Sequence, residues 1–271
     1  MMVQEKYLLK VVSFDPDQEP EEQHIYLIEV YEFELTGNKI IFKNCINSKM
    51  LVEMDELHLL KRRRKIDHLS FVLMYELSVG DKEFSNDLQF SYEFNYTNSD
   101  LIVYDFTHDG DEEYEEPSLN EKTAFFLKQN QFLKKYAENK VFIKQWFRLN
   151  EFEKDCWLKV AYKVNCNQHI NENISKVSHI ILDGNYIHSE SDLYCYIGEQ
   201  ICGILGYMGY MGYSTSALSD CLTEENLRPI CRPLNITWKN FKSSELNFNC
   251  LDDLNYLVEL LKEDAILKIQ I

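Results

Sequence analysis

The chain has 271 residues, with 45% hydrophobic and 13% aromatic content, which is a folded-protein composition with enough length for two compact units. Its formal net charge of -17 argues against a nucleic-acid partner, because phosphate backbones are bound by basic patches, and it suits a basic protein surface. No apolar run reaches bilayer-spanning length, and Met1-Met2-Val3-Gln4-Glu5-Lys6 lacks the basic start and apolar stretch of a secretory signal. A cytoplasmic protein with no membrane partner is therefore expected.

Residues 7–13, 24–35, 39–42 and 70–79 are rich in β-branched and aromatic side chains and read as strands. Leu88, Phe90, Tyr92, Phe94 and Tyr96 alternate with Gln89, Ser91, Glu93 and Asn95, the period of a half-buried strand. Thr36-Gly37-Asn38 between two such runs is a hairpin signal, so the first hundred residues are expected to form an antiparallel sheet. The basic cluster Lys61-Arg62-Arg63-Arg64-Lys65 is short and sits in an acidic chain, which favours a solvated face over a nucleic-acid patch.

The run Asp109-Gly110-Asp111-Glu112-Glu113-Tyr114-Glu115-Glu116 repels itself and reads as an extended connection. It lacks the ligand offsets of a calcium loop. Ser118 with Glu121, and Asn150 with Glu153, have capping-box spacing and open two helical patterns. These helices, with Trp146 and Phe147 between them, are expected to pack on the N-terminal sheet. The polar stretch 165–176 then marks a boundary. The expected organisation is an α+β N-terminal domain over 1–168, its helical part at 116–164, followed by an α/β domain over 175–271 that folds alone.

From Ser178 the pattern changes to short strands joined through helices, which favours a small parallel sheet with helices packed on it. His179-Ile180-Ile181-Leu182 is a strand, and Leu193, Tyr196, Ile197 and Ile201 follow at helical spacing. A second helix starts near Ser214, with Ala217, Leu218, Cys221 and Leu222 on its apolar face and Ser216, Ser219, Asp220 and Thr223 pointing outward. Strands at 234–238 and 266–271 flank a helix carrying Leu251, Leu254, Leu257, Val258 and Leu261. Gly203, Gly206, Gly209 and Gly212 recur every third residue, without the Lys-Ser/Thr of a phosphate loop, and form a loop expected to expose Tyr207, Met208, Tyr210, Met211 and Tyr213.

Five pieces stand in order along this segment: Leu182-Asp183-Gly184, Ser191-Asp192-Leu193, Tyr210-Met211-Gly212, Ser216-Ala217-Leu218-Ser219-Asp220-Cys221-Leu222 and Pro233-Leu234-Asn235-Ile236-Thr237-Trp238. The C-terminal third, 175–271, thereby resembles the barstar family of intracellular ribonuclease inhibitors. The resemblance implies a three-stranded parallel sheet with helices. It also implies an immunity protein of a toxin–antitoxin pair, whose acidic helix and Tyr/Gly-rich loop plug the active site of a basic ribonuclease or related toxin domain. A carboxylate such as Asp220 there takes the place of an RNA phosphate, because both groups accept bidentate, charge-assisted hydrogen bonds from arginine.

On that basis the partner-binding residues are Tyr210, Met211, Gly212, Tyr213, Ser214, Ser216, Ser219 and Asp220, with the acidic residue of the last helix supplied by Glu259 or Glu263. Ser216 replaces a family Asp, Ser219 a family aromatic, Ser214 a loop Asn and Met211 a loop Tyr. These departures lie on the binding face and point to a different cognate toxin from barstar's own. A protein-interaction scaffold that keeps the fold without inhibiting is the alternative reading.

An enzyme is not favoured. Paired carboxylates, a Ser/His/Asp set and a Cys/His pair are found only by picking residues freely, and His179 and His188 near Cys195 and Cys202 read as structural. No cofactor or metal is expected either. Cys45, Cys156, Cys166, Cys195, Cys202, Cys221, Cys231 and Cys250 are scattered without Cys-x-x-Cys or zinc-ligand spacing, so reduced thiols are expected.

Overall fold

The computed structural model describes residues 3–14, 25–36, 39–44, 68–79, 82–91, 94–96, 101–104, 118–138, 144–166, 176–201, 210–224 and 229–271. Contacts divide the chain into two units, Met1–Asn130 and Gln131–Ile271. The basic cluster 61–65, the acidic run 109–116 and the Gly-rich residues 202–209 lie outside the described residues, as does most of the polar stretch 165–176.

The first unit holds two four-stranded antiparallel sheets. One has the order β2-β1-β5-β6, from β1 (Val3–Phe14), β2 (Ile25–Val30), β5 (His68–Val79) and β6 (Lys82–Ser91); the other is β3-β4-β8-β7, from β3 (Glu32–Thr36), β4 (Lys39–Lys43), β7 (Phe94–Tyr96) and β8 (Leu101–Tyr104). On β5, Phe71, Leu73, Tyr75 and Leu77 are buried and the residues between them are half-buried, the alternation of a strand with one covered face. Thr36 pairs with Lys39, the register of a two-residue hairpin.

Two runs that read as single strands are each split between the sheets. β2 and β3 are separated at the exposed Tyr31, and β6 ends at Ser91 before β7 starts at Phe94. A Tyr7–Phe33 ring contact at 5.5 Å joins the two sheets. Helix α1 (Leu119–Ala137) is opened by the expected capping box: Ser118 N donates to Glu121 Oε2 at 2.9 Å and Glu121 N donates to Ser118 Oγ at 3.3 Å. Its first half lies on the β6 side of the sheet, where the buried Asn86 Nδ2 donates to Asn130 Oδ1 at 2.7 Å.

The second unit contains a three-stranded parallel sheet in the order β11-β10-β9, from β9 (Val177–Asp183), β10 (Ile230–Lys239) and β11 (Ile266–Ile269). Around it stand α2 (Glu151–Cys166), α3 (Glu190–Ile201), α4 (Thr215–Thr223), α5 (Phe241–Asn247) and α6 (Leu251–Asp264). Ile180, Leu182, Ile236 and Trp238 form the buried face, packed with Leu193, Ile197, Leu218, Leu222, Leu257 and Leu261. The opposite face carries the exposed His179, Ile181, Asn235 and Lys239. This is the α/β arrangement expected for the last third of the chain.

Two features depart from the sequence reading. The sequence pattern places helix α2 with the N-terminal domain, but it packs on α3 within the second unit, and the preceding 3-10 turn Trp146–Arg148 stacks Phe147 on Tyr186 at 4.5 Å and 5°. The contact division at 130/131 therefore lies well before the polar stretch at 165–176. Helix α5 had no sequence signal. It follows Asn240, which has φ 52°, and it approaches Gly184 so closely that a Cβ there would collide with the Asn240 carbonyl.

Candidate functional site

Helix α4 starts where its sequence says it should: Ser214 is extended and its Oγ accepts from Ala217 N at 3.3 Å. Just before it, Gly212 has φ +103°, and a Cβ there would stand 2.6 Å from Leu218 N. Only glycine lets the loop come that close to the helix's first turn. The apolar stripe Leu218, Cys221 and Leu222 is buried, which leaves Ser216, Asp220 and Thr223 exposed and Ser219 half-buried.

The loop does not present all the side chains expected of it. Tyr210 is 4% exposed and Met211 is fully buried, while Tyr213 is 43% exposed. Tyr210 and Met211 therefore anchor the loop to the core, and Gly212 is buried as well. Burial takes the apolar ring and the thioether out of water in the free protein. Ser214 is half-buried and engaged as the cap.

At its other end α4 is closed by Arg232 of β10. Its Nε donates to Leu222 O at 2.8 Å and its Nη2 to Cys221 O at 3.3 Å, with a further donation to Glu224 O. A guanidinium suits the negative end of a helix, and here it is used up on backbone carbonyls. Among the described residues, Arg232 is the positive charge nearest Asp220 in sequence, and it is engaged by these carbonyls.

Helix α6 packs beside α4. Leu254, Leu257, Val258 and Leu261 are buried, whereas Leu251, placed on the apolar face by its spacing, is 54% exposed at the first residue of the helix. The outward side carries Asp252, Tyr256, Glu259 and Glu263, with Asp253 beside them; Lys262 Nζ pairs with Glu259 Oε1 at 2.7 Å. Asp220 and Glu259 thus stand on the exposed sides of two packed helices.

The sequence reading missed the contribution of α2. Tyr162 lies 5.3 Å from Tyr210 and 6.0 Å from Tyr213 by ring centroids, and Lys159 Nζ sits 3.7 Å from the Tyr213 centroid. Lys159 and Tyr162 are three apart on one helix face. That spacing marks a shared face, but nothing local says that the loop some fifty positions later will meet it.

The α2–α3 packing is pinned by ions. Lys154 Nζ is 2.6 Å from Asp192 Oδ1 and 2.7 Å from Glu151 Oε1, with Lys154 and Asp192 both buried. Asp192 Oδ2 also accepts from His188 N at 2.9 Å, and Asp192 N donates to Ser189 Oγ at 3.2 Å. Burial opposes the charge on Lys154, but the bonds to Asp192 and Glu151 outweigh it and hold the ammonium above its ordinary range.

His179 Nε2 lies 2.9 Å from Thr237 Oγ1 on the open sheet face, and burial pushes the Cys195 thiol well up from its ordinary value. Neither arrangement activates a nucleophile. Among the described residues, no group of three or more His, Cys, Asp or Glu side chains is placed to hold a metal ion, and no helix is long and apolar enough to cross a membrane. Among the described residues, Cys195, Cys231 and Cys250 are thiols outside any disulfide.

No protein-family model and no curated protein matches this chain.

Proposed function

We propose that this protein is an inhibitor, of the immunity-protein kind, that binds a basic ribonuclease or related toxin domain through α4, Tyr213 and the acidic side of α6. Exposure of the Asp220 carboxylate on a capped helix that packs against α6, whose exposed residues include Asp252, Glu259 and Glu263, is the observation that carries the reading. A carboxylate fixed on a rigid helix accepts the paired N–H groups that a ribonuclease directs at phosphate. The acidic side of α6 supplies the field that steers a basic partner to it. The order and spacing of the barstar-like pieces support the same class of partner. Ser216 and Ser219, where that family carries an Asp and an aromatic, narrow the claim to a toxin other than barstar's own.

The test titrates the full chain into small basic ribonucleases of the barnase type, including toxin nuclease domains, and reads RNA cleavage. Stoichiometric loss of cleavage, relieved in Asp220→Ala, is expected. Binding that leaves cleavage intact would instead establish the scaffold reading, and no binding to any member of the set would refute the proposal.

A further inference from the structure

Tyr213 stands one residue before the α4 cap, and its ring already holds a cation: the Lys159 ammonium from α2, 3.7 Å from the ring centroid. At that distance a cation is drawn to the negative face of the aromatic quadrupole. The ring is propped independently by Tyr162 at 6.0 Å and Tyr210 at 6.2 Å, so its orientation does not depend on the lysine. It is 43% exposed, which leaves the site open to solvent.

Resting on the reading of α4 as a partner-binding helix, we propose that the Tyr213 ring is a seat for a guanidinium or ammonium side chain of a basic partner protein, and that Lys159 fills the seat in the free protein. The surroundings favour a cationic occupant, because Tyr213 directly precedes the helix that carries the exposed Asp220, and the adjacent α6 has Asp252, Glu259 and Glu263 exposed. Lys159 has somewhere to go when displaced. Asp155 lies one turn earlier on α2 and is close enough for the two charges to interact. An arginine is the better competitor, since its planar group stacks on a ring while a lysine meets it as a point charge. Lys159 therefore acts as a filter, admitting partners whose cation binds the ring better than it does.

The experiment uses the full-length protein and a hexa-arginine peptide at low salt. The ε-methylene NMR signals of Lys159, assigned by their disappearance in Lys159→Gln, are expected to lie upfield in the ring current of Tyr213. Saturating peptide should move them to ordinary lysine positions. Lys159→Gln should bind the peptide about threefold more tightly, the scale of one exposed cation–π contact, and that gain should vanish when Tyr213→Leu is added. Signals that stay upfield at saturation, or a gain that survives Tyr213→Leu, would overturn the seat. If Tyr213→Leu does not fold, the NMR displacement decides alone. A ribonuclease bound and inhibited while Lys159 remains on the ring refutes the seat and leaves the inhibitor reading standing. Displacement by the peptide with no ribonuclease inhibited supports the seat and counts against that reading.

Discussion

Single residues carry the sharpest consequences. Asp220 lies outside the buried stripe of α4 and is exposed, so Asp220→Ala should weaken binding of the cognate nuclease by about 2 kcal/mol or more, the ordinary scale of an interface hot spot, with little change in folding. Paired calorimetric titration and denaturant unfolding read the two effects separately. Gly212→Ala should do the reverse. It forces a side chain into a left-handed backbone and against Leu218 N, and is expected to cost about 1–3 kcal/mol of folding stability, seen as a lower urea midpoint at unchanged slope. The Lys154–Asp192 pair is buried on both sides, so Asp192→Ala leaves a buried ammonium with Glu151 as its remaining partner and should cost up to about 3–5 kcal/mol. Its pH signature follows from the raised Lys154 value. The contribution is fully present below the unfolded lysine value of 10.5 and is lost as pH climbs through the higher folded value. Unfolding midpoints measured from pH 9 upward should therefore fall more steeply in the wild type than in Asp192→Asn.

At the scale of elements, cap chemistry was legible and long-range partnership was not. Ser118 with Glu121 and Asn150 with Glu153 each close the hydrogen bonds their spacing announces, and Ser214, where a helix start is expected, caps α4 through Ala217 N, because a cap is satisfied within one turn. Which surface a helix then covers depends on residues far away. Helix α2 follows an N-terminal half made of strands, yet its Lys154 pairs with Asp192 and its Tyr162 with Tyr210. A fragment beginning at Lys176 omits that cover and exposes apolar surface of α3, at about 1.5–3 kcal/mol for each large side chain returned to water. Thermal unfolding of fragment 131–271 should be cooperative, whereas fragment 176–271 should melt at a lower temperature or show no transition. Equal melting temperatures would show that α2 adds nothing to the fold.

For the whole molecule, the net charge of -17 has a kinetic meaning. Association with a basic partner should be fast at low salt and slow steeply as ionic strength rises, while dissociation changes less, because long-range attraction is screened beyond about 8 Å at physiological salt. Stopped-flow measurement at two salt concentrations reads both rates. A salt-independent association rate would remove electrostatic steering from the account.

The sequence by itself determined the periods, the caps and the outward position of Asp220, since each depends on neighbours within a turn of helix or a few residues of strand. It also carried the parallel sheet of the second unit, because short apolar strands separated by helices leave few other arrangements. The tertiary structure decided what local pattern cannot hold. It split two continuous strand-like runs between separate sheets, turned Tyr210 and Met211 inward while leaving Tyr213 outside, and set Lys159 on the Tyr213 ring. In each case the outcome depends on apolar surface contributed by segments distant in the chain. Burial is a property of the packed whole, so residues with the same local pattern, such as two tyrosines three positions apart on one loop, end on opposite sides of the surface.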